Sequence, residues 1–162
     1  DPSTPSDLVY SGQAALTDPL EGTPLNFGQA VLSPTRTYAP IVQKVLATVR
    51  EHIHGMVHCS GGAQTKVLHF VEGLRIIKDD LFPVPPLFAA IQRTSGTDPK
   101  EMYAVFNMGH RLEFYVPGEI VEEIIAISNT FAIEAKVIGR VEKADKKEVV
   151  LTSPQGIFIY TA

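Results

Sequence analysis

The stretch His54-Gly55-Met56-Val57-His58-Cys59-Ser60-Gly61-Gly62-Ala63 decides how the rest of the chain is read. Met56 and Val57 form a short apolar run that delivers a histidine and then breaks into Ser-Gly-Gly, the pattern of a strand leaving a sheet through a turn. Gly61 and Gly62 carry no Cβ, so the backbone there can adopt positive φ and bring its amides close to a ligand. Successive amides in such a turn form a concavity suited to phosphate. His58, at the strand end, is then placed to donate a proton or a hydrogen bond. The alternative is a strand, a loop turn and a structural histidine. Both readings predict a strand over residues 54–59.

Working outward, Tyr38, Ile41, Val42, Val45, Leu46 and Val49 recur at helical spacing. Thr35 or Thr37 is available as the cap, and Pro40 is tolerable only in the first turn, so a helix is predicted from near Thr37 to near His52. Before it, prolines at 2, 5, 19, 24 and 34 and glycines at 12, 22 and 28 leave no room for a long regular element. Leu8-Val9-Tyr10 is at most a short strand. Residues 1–34 therefore read as a connector, a truncated part of the same domain packing on something outside this chain, with the domain proper over 35–162.

Downstream of the Gly-Gly turn, residues 65–70 suggest a short helix with Val67, Leu68 and Val71 inward, and Leu74 to Ile77 a strand closed by Asp79-Asp80. Those two carboxylates lack a third oxygen ligand at loop spacing, which favours a solvated turn over a metal site. Pro83-Val84-Pro85-Pro86 pre-sets a helix carrying Leu87, Phe88 and Ile91, ended by Gly96. Asp98, Pro99 and Glu101 form the signature of a capping box opening a helix whose buried side is Met102, Val105 and Phe106. Asn107-Met108-Gly109 breaks it. Arg111 to Val116 then alternates, with Leu112, Phe114 and Val116 predicted on the core face and Arg111, Glu113 and Tyr115 on the other. A helix from Glu119 to about Phe131, a strand over Glu134 to Val141, and a hairpin of Val149–Thr152 with Ile157–Thr161 complete the chain. Strand, helix and strand over 111–141 look like a βαβ unit. The fold class is α+β: a mixed β-sheet of roughly five or six strands, with roughly four or five helices covering one face.

A length of 162 residues suits one domain, and 44% hydrophobic with 20% charged residues excludes wholesale disorder. The net charge is −4 and the basic residues are scattered, so no nucleic-acid footprint is present. No apolar run approaches the ~20 residues that span a bilayer, which argues against a membrane partner. The single Cys59 fits a reducing, cytoplasmic compartment. It reads as a small buried hydrophobe, with a thiol nucleophile as the lesser alternative. His52, His54, His69 and His110 show no metal-ligand spacing and are structural or exposed; His54 and His58 share a strand face without a third ligand. No metal ligand is expected in this chain.

Four blocks carry a family resemblance. Ser33-Pro34-Thr35-Arg36-Thr37-Tyr38, Gly55 to Gly62, Pro83-Val84-Pro85-Pro86 through Phe88, Ile91 and Gln92, and Glu101-Met102-Tyr103 through Phe106-Asn107-Met108-Gly109 stand in this order. They resemble the P-T-R-x-Y, G-M-A-H-I-T-G-G-G, W-P-V-P-P-x-F-x-x-I-Q and E-M-Y-x-x-F-N-M-G segments of the C-terminal domain of the aminoimidazole ribonucleotide synthetase (phosphoribosylformylglycinamidine cyclo-ligase) family. Val137-Ile138-Gly139-Arg140-Val141 adds a weaker match, so the resemblance spans about residues 33–141. Cys59 and Ser60 replace Ile and Thr, and Ala63 replaces a third glycine, which restricts the backbone there. Residues 1–32 show no clear counterpart, and the family's preceding H-S-N-G segment is missing.

The resemblance implies an ATP-dependent ring closure of a nucleotide substrate in purine biosynthesis. The ATP and Mg²⁺ ligands then lie mostly in an N-terminal domain that is absent here, which also makes the principal contacts of a homodimer. It further implies that the amides of Ser60, Gly61 and Gly62 hold a phosphate or the phosphorylated oxygen, that His58 is catalytic, and that Asn107 and Gly109 contact the nucleotide. Asn107 alternatively caps its helix end in a left-handed conformation. Selenophosphate synthetase, thiamine-phosphate kinase and hydrogenase-maturation relatives share the architecture, and a non-catalytic anion- or partner-binding module is the reading from a different class.

Overall fold

A computed structural model describes residues 2–5, 12–34 and 36–161. The Leu8-Val9-Tyr10 segment and the Thr35 cap lie outside the described residues. Regular structure starts earlier than expected, with α1 (Phe27–Leu32), because Asn26 and Gln29 close a reciprocal capping box around its first turn. Helix α2 (Ala39–Val49) buries Ile41, Val45 and Val49 and runs into a 3₁₀ turn at Arg50–His52. The expected threonine cap is not used: Tyr38 is the N-cap and makes no side-chain capping bond. Strand β1 (Gly55–His58), a 3₁₀ segment (Ala63–His69), β2 (Leu74–Lys78), α3 (Pro86–Ser95), α4 (Pro99–Val105) and β3 (Leu112–Tyr115) follow. A 3₁₀ turn (Gly118–Ile120), α5 (Val121–Thr130) and strands β4 (Gly139–Lys143), β5 (Glu148–Ser153) and β6 (Gly156–Thr161) end the chain.

The class is α+β as expected, but the strands form two sheets rather than one. Strands β1 and β3 make an antiparallel ribbon, and β4-β2-β5-β6 a mixed four-stranded sheet with β2 and β5 parallel. The βαβ reading of 111–141 fails for that reason: β3 pairs only with β1, while β4 runs antiparallel to β2. The strand expected from Glu134 begins only at Gly139, because the amides of Asp79 and Asp80 both turn onto the Ile138 carbonyl (3.0 and 3.2 Å) and end the ladder. Gly139 itself is obligatory, since a Cβ there would lie 1.8 Å from the Ile77 carbonyl oxygen.

Two apolar clusters hold these layers. In the first, Val57 and Cys59 of the ribbon, Val67, Leu68, Met102, Tyr103 and Met108 pack on Ile76, Val149 and Leu151 of the larger sheet. Tyr103, rather than the expected Val105, shares the buried side of α4 with Met102, and Val105 is exposed. In the second, α2 and α5 pack together through Ile41, Val45, Val49, Ile120, Ile124 and Ile127, with Phe114 and Val116 against them. The ribbon is thus covered on both faces. That explains the reversal in β3: Glu113, assigned to the outer face, is 6% exposed, more deeply buried than Leu112 or Phe114, and Tyr115 beside it packs against the first cluster.

Glu113 is paid for by Lys78 of β2, whose ammonium donates to Glu113 Oε1 (2.6 Å), the Gln64 carbonyl (2.9 Å) and Gln64 Oε1 (3.0 Å). The Tyr115 hydroxyl donates to Glu113 Oε2 (2.6 Å), so three ammonium protons and both carboxylate oxygens have partners. Among the described residues no buried side-chain nitrogen or oxygen lacks a partner. His110, 3% exposed, accepts the Phe82 amide at Nε2 (3.0 Å) and so fastens the proline-rich segment to the break after α4. Burial, only partly offset by Glu113, lowers its pKa to about 4.

Two measurements check this. Replacing Lys78 by Met leaves a buried unpaired carboxylate and should cost about 3–5 kcal/mol in urea unfolding, while adding Glu113→Gln should recover at least half of it. A single-variant loss under about 1 kcal/mol would show that the pair does not hold the sheets. For His110, the unfolded chain takes up a proton below about pH 6.5 and the folded chain only near 4, so this contribution is complete above pH 6.5 and is lost as pH falls through that window. Urea titrations at neutral and acid pH should therefore show a pH slope between those values that His110→Gln flattens.

Candidate functional site

At the end of β1 the side chains alternate: Val57 and Cys59 point into the first cluster, while His54, Met56, His58 and Ser60 are exposed. The His58 ring has no hydrogen-bond partner among the described residues and stands free at the lip of the turn. Three consecutive residues then take left-handed backbone, Gly61 (φ 59°), Gly62 (φ 79°) and Ala63 (φ 42°). Two glycines do so at no steric cost. Ala63, buried at 1% exposure, costs about 1–2 kcal/mol there and confines the turn to one shape.

The Ser60 amide is spent within the turn on the His58 carbonyl (2.8 Å), which corrects its expected place among the free donors. The amides of Gly61 and Gly62 have no partner among the described residues, and Gly61 faces open space. Lys66 donates to the Ser60 carbonyl (2.6 Å) and so fixes an ammonium on the turn, and Thr65 braces it from the Gly62 carbonyl (2.8 Å). Sequence reasoning missed Lys66; a cation one helical turn past the glycines was the signal. Cys59 is no nucleophile: burial first, and then Glu113, push its thiol up to about 12.

The structure brings the second predicted element close to the first. Gln64, fully buried, donates to the Asn107 carbonyl (2.7 Å), and the Cys59 amide donates to the Arg111 carbonyl (2.9 Å). Asn107 Oδ1 accepts the Gly109 amide (2.9 Å), so that amide is committed to the break itself. The left-handed residues there are Met108 (φ 51°) and Gly109 (φ 99°), not Asn107, and α4 ends on an extended Phe106. Beyond Gly109 a crevice of about 160 Å³ opens, lined by Arg36, Tyr38, Phe82, Gly109, Arg111, Ile133 and Glu134. Arg36 and Tyr38 belong to the first block quoted above, yet nothing in the sequence placed them against Arg111.

The donor set fits an anion. Free glycine amides, Lys66 and two arginines suit phosphate oxygens, whereas no group of three His, Cys, Asp or Glu side chains capable of holding a metal ion occurs among the described residues. Asp79 and Asp80 are engaged by Arg140 (2.6 Å) and Lys136 (2.7 Å). No helix among the described residues is long and apolar enough to cross a membrane.

Comparison with known proteins identifies the family. The family described as "AIR synthase related protein, C-terminal domain" matches residues 12–152, beginning well ahead of the motif blocks. Among curated relatives, the phosphoribosylformylglycinamidine cyclo-ligase of Methanococcus vannielii is 35% identical over 143 residues, covering 82% of this chain and 40% of its own. That of Pseudothermotoga lettingae is 32% identical over 145 residues, covering 88% and 42%. The chain therefore spans about two fifths of the length of the relatives it matches. Among solved structures, E. coli HypE, a hydrogenase maturation protein, superposes with a TM-score of 0.54 at 21% identity over 77% of this chain and 38% of its own, a likeness of fold alone. With the family matched across most of its length and the Gly-Gly turn and Asn107 break in contact, this chain belongs to the AIR synthase related family as its C-terminal domain.

Proposed function

We propose that the chain is the C-terminal portion of a phosphoribosylformylglycinamidine cyclo-ligase, a cytoplasmic enzyme of purine biosynthesis that is a homodimer at full length. ATP with Mg²⁺ would supply the phosphoryl group that makes the amide oxygen of formylglycinamidine ribonucleotide a leaving group, after which the neighbouring nitrogen closes the imidazole ring and phosphate departs. Ligands for both lie mostly in the part of the enzyme this chain does not span. The residues here bind and orient. The Gly61 and Gly62 amides, with Lys66, hold the anionic oxygens fixed before reaction, so their stabilisation needs no reorganisation. His58 donates a hydrogen bond or proton to the same oxygens. Asn107 and Gly109 form the neighbouring wall against the nucleotide.

What supports the reading is one observation above the rest: two adjacent amides, without partners among the described residues, held in left-handed backbone in a turn that also carries an exposed histidine and the Lys66 ammonium. The relatives named phosphoribosylformylglycinamidine cyclo-ligase support the choice of reaction.

The 162 residues alone should show no ring closure, and ATP-dependent turnover by them would overturn the division of labour. In the full-length enzyme, His58→Ala should lower kcat by about 100-fold or more with little change in KM. Unchanged kcat would remove His58 from the mechanism.

A further inference from the structure

We infer that the crevice between the Arg36–Tyr38 segment and the Gly109–Arg111 break is a binding site for the phosphate monoester of a hydroxylated ligand, a sugar phosphate. It shares Gly109 with the proposed nucleotide wall and rests on that reading only for the identity of the natural ligand. Four features of the molecule point to it. First, Arg36 and Arg111 both line the crevice, and neither guanidinium has an ion pair or hydrogen bond among the described residues. Arg75 and Arg140, by contrast, are each held by carboxylates, Arg75 by Glu148 and Arg140 by both Asp79 and Glu142. Two unpaired guanidiniums lining one hollow supply the planar N–H donors that recognise phosphate oxygens.

Second, the start of α2 adds to the same field. Tyr38 lines the crevice as the N-cap of an eleven-residue helix, gives its first turn no side-chain cap, and is followed by Pro40, which has no amide. The Tyr38 side chain therefore leaves the positive end of the helix uncapped, facing the crevice that Tyr38 lines. Third, Glu134 lines the crevice too but lies beyond ion-pair distance of both arginines. A carboxylate in that position opposes a second anion and accepts hydroxyls, which selects a phosphate that carries sugar hydroxyls over inorganic polyanions. Fourth, at about 160 Å³ the hollow falls well below the ~300 Å³ at which sites engulf a whole drug-sized ligand. It takes the phosphate end and leaves the remainder of the ligand outside.

The test is an amide-detected NMR titration of the chain with ribose 5-phosphate, inorganic phosphate and ribose at low salt. The expected result is saturable shifts gathered at Tyr38, Gly109 and Arg111, tightest for ribose 5-phosphate, weaker for inorganic phosphate and absent for ribose. Arg36→Met and Arg111→Met should each weaken the Kd by on the order of 10-fold, and Arg111→Lys by less. Both side chains are clear of the two apolar clusters, and an unchanged spectrum of the core confirms that each variant is folded. His58→Ala should leave this binding intact, so a failed ring-closure assay and a failed crevice are told apart. Shifts gathered at Gly61 and Gly62 instead, or a Kd indifferent to both Met substitutions, would overturn the inference.

Discussion

One buried ion pair constrains everything else. The β1–β3 ribbon and the four-stranded sheet share no backbone ladder, and the apolar contacts between them are non-directional. Lys78 and Glu113 supply the missing direction. Each charge has left water, which is tolerable only where every proton and lone pair is met, and three acceptors around the ammonium with two donors on the carboxylate meet them. A shift of the ribbon along the sheet would leave one of these groups unpaired in the interior. The pair therefore fixes register between sheets more than it adds net stability.

The functional turn inherits that register through Gln64. Its carbonyl and side-chain oxygen both accept from Lys78, while its side-chain amide nitrogen donates to the Asn107 carbonyl. A single fully buried residue thus ties the left-handed turn at Gly61–Ala63 to the second break at Met108–Gly109. Strained backbone at both places persists because the surroundings over-determine it. That is the condition for a preorganised anion site: free amides that do not relax into internal bonds when the ligand is away.

Much of this was legible in the sequence, and the failures have identifiable causes. Local periodicity and punctuation carried α2, the Pro-led α3, the Asp98-capped α4 and the β5–β6 hairpin, because their determinants lie within a few residues of each other. Asp98 caps as expected, by accepting the Lys100 amide, but Glu101 does not return to the Asp98 amide, so the expected box is not closed. What failed was non-local. Glu113 looked like a solvent residue because alternation cannot distinguish a wet face from a face on which a lysine, thirty-five positions away, is waiting. The βαβ unit failed because strands adjacent in sequence went to different sheets, and the glycine at 139 permits the close approach of β4 to β2 that a side chain there would block. At the candidate site, the glycines and His58 were visible as a motif, whereas Lys66 and Arg111 acquired meaning only once folding set their charges beside the turn and the crevice.

The two anion-suited places are not independent features of the surface. Residues 107–111 carry both: the Asn107 carbonyl faces the turn through Gln64, the Arg111 carbonyl takes the Cys59 amide, and Gly109 with the Arg111 side chain lines the crevice. A chain of net charge −4 has no global attraction for phosphate, and screening limits distant charges to about 8–10 Å. Any hold on phosphate at these two places would rest on local geometry, and one short break shapes both. Left-handed backbone at Met108 and Gly109 lets residues 107–111 present both walls, since a relaxed helix end would satisfy its own carbonyls and present neither.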